Sequence, residues 1–161
     1  MRSESTFWLD SIERIQRERE GRTLVFTNGV FDLLHAGHVT YLEQARALGD
    51  LLVVALNTDE SVRRLGKGPE RPLNALADRA RVMGALRCVD FVVSFGEDDP
   101  TAILSQIRPD IHVKGGDYDP ETMPETPTVR AYGGQVVILP LLAGRSTTRL
   151  VQAMRKEDPA G

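Results

Sequence analysis

Two histidines near the end of a short polar segment are the residues whose types and spacing best suit chemistry. His35 and His38 stand three positions apart, with Gly37 between them. At a helix entrance this spacing lets both imidazoles point the same way, and the glycine leaves room for a phosphate to approach the backbone. Two imidazoles can donate hydrogen bonds to phosphate oxygens and stabilise a pentacoordinate phosphorus centre. The pattern therefore predicts a phosphate site.

The segment before the histidines supports the same prediction. Residues 23–27 form an apolar run typical of a buried strand, Gly29 permits a tight turn, and a helix opens near His38. Free backbone N–H groups and the positive end of the helix would then face an anion. Zinc is the alternative ligand, but a catalytic zinc site needs a third protein ligand. The remaining histidine, His112, lies inside a predicted strand, and we interpret it as a sheet residue.

The rest of the chain supplies the elements that must position this site. We predict strands over residues 23–27, 51–56, 91–93, 111–113 and 136–139, and helices over residues 38–48, 75–86, 99–107 and 147–156. Strands that alternate with helices predict an α/β fold, a Rossmann-like open parallel sheet with helices on both faces. Asn74 is the candidate cap of the second of these helices. Residues 1–21 carry an amphipathic helix over 7–20, with Trp8, Ile12 and Ile15 on its apolar side, packed on a single domain of residues 22–161.

Ligands of such sheets bind beyond the carboxyl ends of the strands. This rule about strand ends picks out four polar or glycine-bearing segments, at residues 27–38, 57–74, 114–118 and 144–149. Two loops rich in glycine, proline and charge, residues 66–72 and 115–127, are candidate lids. The sequence therefore predicts one binding cleft built by several strand ends.

Composition limits the partners of this cleft. The chain has 161 residues and a formal net charge of -3, with basic residues scattered along it, so nucleic acid is not an expected partner. Cys88 is the single cysteine, which excludes an internal disulfide and a cysteine-based zinc site, and we interpret it as core filler. No apolar run approaches the roughly 20 residues of a membrane span. We expect a cytoplasmic protein that binds small molecules and no membrane.

The phosphate motifs of dinucleotide dehydrogenases and P-loop ATPases are absent from the sequence. The first predicted strand leads instead into Asn28-Gly29-Val30-Phe31-Asp32-x-x-His35-x-Gly37-His38. This segment resembles the signature of the cytidylyltransferase-like nucleotidyltransferase superfamily, the His-x-Gly-His fold. Residues 144–148, Gly-Arg-Ser-Thr-Thr, resemble its second signature, a helix start that holds phosphates. A plain Ser/Thr helix cap is the alternative for those residues.

Within the superfamily, the chain from about residue 23 onward is similar to heptose 1-phosphate adenylyltransferases. Four further segments carry this resemblance: Arg71-Pro72-Leu73-Asn74 with Arg79, Val113-Lys114-Gly115-Gly116-Asp117-Tyr118, Tyr132-Gly133-Gly134 and Ser146-Thr147-Thr148. Glycerol-phosphate cytidylyltransferases usually have an arginine just after the proline before the second signature. Here Pro140 is followed by Leu141 and an arginine stands at Arg145, which disfavours a cytidylyltransferase.

The resemblance implies a role for each matching residue. Catalytic contacts are implied for His35, His38, Lys67, Ser146 and Thr147. Nucleotide contacts are implied for Thr27, Asn28, Gly29, Val30, Phe31, Gly37, Val113, Lys114, Gly115, Asp117 and Thr148. Substrate contacts are implied for Asp32, Asn57, Arg71, Arg79 and Tyr118. Three of these have open alternatives: a solvated loop lysine at Lys67, a braced glycine turn at Asp117, and ion pairing with Asp78 or Glu70 at Arg79.

The implied reaction is attack of a sugar 1-phosphate on the α-phosphorus of ATP, which forms ADP-heptose for lipopolysaccharide core synthesis and releases pyrophosphate. ATP is a substrate, and Mg²⁺ bridges its phosphate oxygens with water as most of its other ligands, so no protein metal site is expected. Relatives are often dimers, which implies a homodimer. The alternatives are a cytidylyltransferase acting on glycerol 3-phosphate or another small phosphate, and a non-catalytic nucleotide sensor.

Overall fold

A five-stranded sheet organises the chain in the computed structural model, which describes residues 8–141 and 147–156. The strands are β1 Leu24–Gly29, β2 Leu51–Asn57, β3 Phe91–Phe95, β4 Ile111–Gly115 and β5 Gln135–Leu139. The helices are α1 Ile12–Glu18, α2 Ala36–Arg46, α3 Asp59–Arg64, α4 Leu76–Gly84, α5 Thr101–Ile107, α6 Thr126–Ala131 and α7 Thr147–Lys156, with a 3-10 turn at Pro120–Thr122. No helix among these residues is long and apolar enough to cross a bilayer.

All paired strands run parallel, in the order β3-β2-β1-β4-β5. The chain builds outward from β1 to β3 and then returns to place β4 on the other side of β1. The switch point therefore lies between β1 and β4, where crossovers leave in opposite directions and open a crevice at the carboxyl ends. This topology confirms the predicted open parallel sheet.

Each sheet face carries its own apolar core because successive strand residues point to opposite sides. On one face Phe26 packs in a cluster with Ile15 of α1 and Leu104 of α5. On the other face Val25 packs in a cluster with Leu42 of α2. Helices therefore cover both faces, as predicted, and pack against the strands beneath the crevice.

Two predicted helix starts are wrong. The first helix begins at Ile12 with Ser11 as its cap, not at residue 7. Trp8 precedes it and remains 42% exposed, while Asp10 exchanges hydrogen bonds with the backbone of Val92 on the edge strand β3. In α4 the cap residue is Ala75, and it makes no side-chain cap bond. The predicted cap, Asn74, instead donates its side-chain N–H to a backbone carbonyl oxygen of the turn after β1.

Several elements were not predicted. α3 directly follows β2, and α6 with the 3-10 turn occupies the end of the candidate lid at residues 115–127 and the chain just after it. α2 begins two residues earlier than predicted, at Ala36, because the His35 side chain caps it by accepting a hydrogen bond from the Gly37 N–H. The helix start therefore falls inside the histidine motif itself.

Candidate active site

A cleft of about 580 Å³ lies at the carboxyl ends of the strands, beside the switch point. It is lined by residues from β1 and the turn after it, from β2, β4 and the loops after them, and from α7. Of the predicted site residues, the cleft is lined by Asn28, Gly29, Val30, Phe31, Asp32, His38, Asn57, Lys67, Arg71, Lys114, Gly115, Tyr118 and Thr148. The structure therefore brings together segments that are far apart in the sequence.

The two histidines form a stacked pair at the entrance of α2. Their ring centroids are 3.9 Å apart and the ring planes differ by 23°. His38 lines the cleft and His35 supports it from behind, with its Nδ1 engaged by the backbone N–H of Gly37 at 3.1 Å. The helix cap therefore fixes one imidazole, and the stacking contact couples the second imidazole to it.

Burial sets the charge state of His38. Removal from water, then the neighbouring His35 and Lys67, lower the pKa of His38 from 6.5 to about 4. Its Nδ1 is buried and has no hydrogen-bond partner among the described residues. At neutral pH this side chain is therefore an uncharged imidazole, which offers one N–H donor to an incoming anion.

Two lysines supply positive charge to the cleft. Lys114 at the end of β4 lies with its Nζ 5.1 Å from the ring centre of Tyr118. Lys114 is half-buried, and removal from water is the main cause that lowers its pKa, with repulsion from Lys67 adding to it. Lys67 is more exposed, and its pKa is lowered by partial removal from water and then by the guanidinium of Arg71. A polyanion in the cleft would offset both the loss of water around these ammonium groups and the repulsion between positive charges. The cleft therefore favours a ligand with several negative charges.

Asp32 holds the wall of the cleft together. Its carboxylate accepts hydrogen bonds from the backbone N–H groups of Leu73 at 2.7 Å and Asn74 at 2.8 Å, and from Arg71 Nη1 at 3.2 Å. The Asn74 side chain donates back to the Asp32 carbonyl oxygen at 2.7 Å. Asp32 and Arg71 line the cleft as expected for substrate contacts, but they are also partners of each other, and Asp32 is only 6% exposed. We therefore interpret Asp32 as the residue that anchors the loop before α4.

The implied substrate contact of Arg79 is not supported by its position. Its guanidinium is fully buried and donates to the Asn74 carbonyl oxygen at 2.9 Å, the Val30 carbonyl oxygen at 2.9 Å and Asp59 Oδ1 at 2.7 Å. It does not line the cleft. Arg79 instead ties α4 to the turn after β1 and to α3, and its ion pair is with Asp59 rather than with Asp78 or Glu70.

Other predicted nucleotide contacts do not line the cleft. Thr27 is fully buried, and its Oγ1 lies 2.6 Å from the hydroxyl of Tyr41, which also donates to the Val113 carbonyl oxygen at 3.2 Å. This bridge ties β1 to β4 at the switch point. Gly37 is buried in α2, and Asp117 is exposed and does not line the cleft. Thr27 and Gly37 are therefore buried behind the cleft wall, whereas Asp117 lies on the surface.

The second signature lies partly outside the described residues. Ser146 falls in the gap between residues 141 and 147, and Thr147 is described only as the first residue of α7. Thr148 does line the cleft. The start of α7 therefore faces the same cavity as the histidine pair.

Sequence reasoning missed several residues of the cleft wall, namely Tyr41, Val62, Leu65, Asp98 and Leu141. Asp98 comes after β3, so the rule about strand ends would have found it if applied to a fifth segment. Tyr41 lies one helical turn after His38, on the same side of the helix. Its position and its polar hydroxyl are the sequence features that could have identified it as a cleft residue. The three apolar residues carry no sequence signal that separates them from core positions.

A second cavity of about 630 Å³ lies between residues 8–14 and α4. Its arginines already have partners, since Arg14 pairs with Asp10 and Arg81 stacks 5.1 Å from the ring centre of Trp8. Within residues 8–141 and 147–156, no group of three or more His, Cys, Asp or Glu side chains is arranged to hold a metal ion. The cleft with the histidine pair is therefore the candidate active site.

The chain is similar to named proteins over most of its length. A relative from Bordetella bronchiseptica named D-beta-D-heptose 1-phosphate adenylyltransferase is 60% identical over 135 residues, 84% of this chain and 83% of that protein. The bifunctional protein HldE of Syntrophotalea carbinolica is 54% identical over 89% of this chain, which spans 29% of that longer protein.

A solved structure and a protein family also match this chain. The crystal structure of the lipopolysaccharide core biosynthesis protein from Thermoplasma volcanium superposes with a TM-score of 0.64 at 30% identity, over 76% of this chain and 98% of that one. Residues 26–139, which include the histidine pair and all five strand ends, match the family described as cytidylyltransferase-like. This chain belongs to the cytidylyltransferase-like family.

Proposed function

We propose that this chain is an adenylyltransferase that transfers AMP from ATP to a heptose 1-phosphate, forming ADP-heptose and pyrophosphate. The observation that carries the reaction class is the stacked pair of His35 and His38 at a helix start, with His38 facing a cleft that Lys67 and Lys114 also line. The 60% identity to a protein named for this activity supports the choice of donor and acceptor. ADP-heptose is a precursor of the lipopolysaccharide core, which gives the product its expected use.

The triphosphate would lie across the end of β1 and the start of α2. His38 would donate to an oxygen of the α-phosphate, while the ammonium groups of Lys67 and Lys114 balance the remaining charge. Thr148 at the start of α7 would contact the leaving phosphates, as the α-helix N-terminus favours anions. These contacts place stabilising groups where negative charge grows during transfer.

The acceptor needs no general base. A phosphate oxygen of the sugar 1-phosphate attacks the α-phosphorus of ATP, and the bond from that phosphorus to the oxygen bridging to the β-phosphate breaks. Pyrophosphate leaves with that electron pair. Asp32, the most buried carboxylate of the cleft wall, already accepts two backbone hydrogen bonds and one from Arg71, so it orients the wall rather than taking a proton.

Mg²⁺ would enter as part of the nucleotide substrate. Bound to triphosphate oxygens, it would neutralise charge on the leaving pyrophosphate. The residues of this chain then bind and orient the Mg²⁺–ATP complex through the lysines and His38. We propose that the reaction takes place in the cytoplasm. We also propose that the protein is a homodimer, and light scattering of the purified protein tests this oligomeric state.

Pyrophosphate release tests the proposal directly. ATP and CTP are each supplied with heptose 1-phosphate and with glycerol 3-phosphate, and the four rates are compared. The highest kcat/KM is expected for ATP with heptose 1-phosphate. A preference for CTP with glycerol 3-phosphate would favour a cytidylyltransferase, and nucleotide binding without pyrophosphate release from any pair would favour a nucleotide sensor.

A further inference from the structure

Phe31 has a backbone conformation that non-glycine residues rarely adopt. Its φ is 48°, and among the described residues Arg108, at φ 51°, is the one other non-glycine residue with positive φ. Arg108 ends α5, where a left-handed residue is an ordinary helix cap. Phe31 ends no helix. It lies between β1 and α2, where the strain must be held by its surroundings.

The residues on both sides of Phe31 are held in place by hydrogen bonds that are buried or part-buried. The carbonyl oxygen of Val30 accepts from Arg79 Nη1 at 2.9 Å, and Arg79 itself is buried. On the other side, the carboxylate of Asp32 accepts from two backbone N–H groups of the loop before α4. The turn cannot relax without breaking these bonds, so the fold enforces the strained conformation.

The strain directs the ring of Phe31 into a narrow seat. A Cβ atom on Gly29 would lie 2.9 Å from Cε2 of Phe31, closer than such contacts normally occur. The ring of Phe31 meets His38 edge-on, with centroids 5.4 Å apart and planes at 63°. Since His38 stacks on His35, the four residues Gly29, Phe31, His38 and His35 form a continuous column.

Among the described residues, His38 lacks the hydrogen bond that usually orients a catalytic imidazole. Such rings are commonly fixed by a hydrogen bond at the nitrogen that does not react. In His38 the buried Nδ1 has no hydrogen-bond partner among residues 8–141 and 147–156. Contacts with the rings of Phe31 and His35 remain to fix its orientation.

We propose that Phe31 is a positioning residue, whose strained backbone presses its ring against His38 and holds that imidazole in the orientation needed for transfer. Gly29 is then required as the seat of this ring, beyond any part it plays in the turn. The proposal rests on the proposed adenylyltransferase function, and it assigns Phe31 a role in turnover rather than in nucleotide binding.

Steady-state kinetics of Phe31→Leu and Gly29→Ala test the role in turnover. Each variant is expected to lower kcat by about 10- to 100-fold while the KM for ATP changes by less than about 3-fold, because misplaced catalytic groups cost rate. The double variant is expected to be no slower than the slower single variant, since the methyl group added at position 29 meets no ring once leucine replaces Phe31. Multiplied losses in the double variant, or a raised KM with unchanged kcat, would overturn the proposal.

Phe91→Leu is the matched control for the loss of a buried ring. Phe91 starts β3 at the opposite end of the sheet and packs in the core. The Phe91→Leu variant is expected to have a lower thermal unfolding midpoint, while its kcat stays within about 2-fold of the wild-type value. A comparable loss of kcat in Phe91→Leu would show that core loosening alone explains the Phe31 variant and would overturn the positioning role.

NMR of the histidine Cε1–H groups separates this proposal from the proposed function. In the wild-type protein the His38 signal is expected to stay constant between pH 5 and 8, since its pKa lies at about 4. In Phe31→Leu, water reaches the ring and the signal is expected to titrate in that range. An unchanged His38 signal overturns the proposal even if transfer is confirmed, whereas absent pyrophosphate release with a shifted signal would overturn the function alone.

Discussion

At the scale of single residues, the two histidines of the cleft differ in what surrounds them. His35 caps α2 through its Nδ1, so the helix start fixes its ring. His38 lines the cleft, and burial keeps its pKa at about 4, so it is neutral when a nucleotide arrives. A neutral imidazole donates a hydrogen bond without first losing the solvation shell of a charged group. We therefore expect His38 to contribute more in the transition state than in binding.

Replacing His38 by Ala is predicted to lower kcat by about 10²- to 10³-fold, the usual cost of removing one preorganised donor. The KM for ATP is expected to change less, because the two lysines still hold the triphosphate. Pyrophosphate release under saturating ATP is the measurement. His112→Gln is the control, since His112 of β4 is buried against Glu125 and does not line the cleft. Unchanged turnover in His38→Ala would contradict the role of His38 as a hydrogen-bond donor to phosphate.

The lowered pKa of His38 also predicts how stability depends on pH. Between its ordinary value of 6.5 and about 4, the unfolded chain binds a proton at this residue and the folded chain does not. The free energy of unfolding therefore falls as pH is lowered through this window, by about 1–2 kcal/mol after a discount for solvent access. Urea unfolding at pH 4.5 and 7 measures the change. His38→Gln should lose less on acidification than the wild type, and an equal loss would contradict the buried neutral state.

At the scale of elements, α4 and the turn after β1 are joined by one buried arginine. Arg79→Met is predicted to lower the free energy of unfolding by about 3–5 kcal/mol, because it leaves Asp59, the buried carbonyl oxygen of Val30 and the part-buried carbonyl oxygen of Asn74 without this partner. Urea unfolding is the measurement. Arg81→Met in the same helix is the control, since Arg81 is exposed over Trp8 and should cost less than about 1 kcal/mol. Equal effects of the two variants would show that Arg79 is not the anchor.

The elements also show what can be predicted from the sequence. The strands are predictable because they are short apolar runs between glycine-rich turns, and their alternation with helices indicates the parallel order. α3 escapes prediction because six residues with four charges, Asp59–Arg64, have no apolar period. The burial of Arg79 could not be foreseen, because its acceptors come from Val30, Asn74 and Asp59 and meet only in the folded chain.

At the scale of the whole molecule, the cleft joins two halves of the sheet. β1 with β2 and β3 forms one side of the switch point, and β4 with β5 forms the other. The cleft draws Asn57 from the first half and Lys114 from the second, and it gathers Lys67 and Arg71 as well, although the chain carries a formal net charge of -3. The basic residues of the cleft are therefore a local group on an acidic chain, and a nucleotide bound there would contact both halves of the sheet.

Nucleotide binding is accordingly predicted to stabilise the whole fold. A ligand that binds the folded state alone adds about 2.7 kcal/mol at 100 times its dissociation constant. For a domain of this size that corresponds to a rise of roughly 5–11 °C in the thermal unfolding midpoint. At equal concentration, Mg²⁺–ATP should raise the midpoint more than Mg²⁺–CTP. Lys114→Ala should reduce the rise from both nucleotides, because it removes one of the two ammonium groups that balance the phosphates. A larger rise with CTP would contradict the proposed adenine preference, while equal rises in the wild type and Lys114→Ala would place the triphosphate outside this cleft.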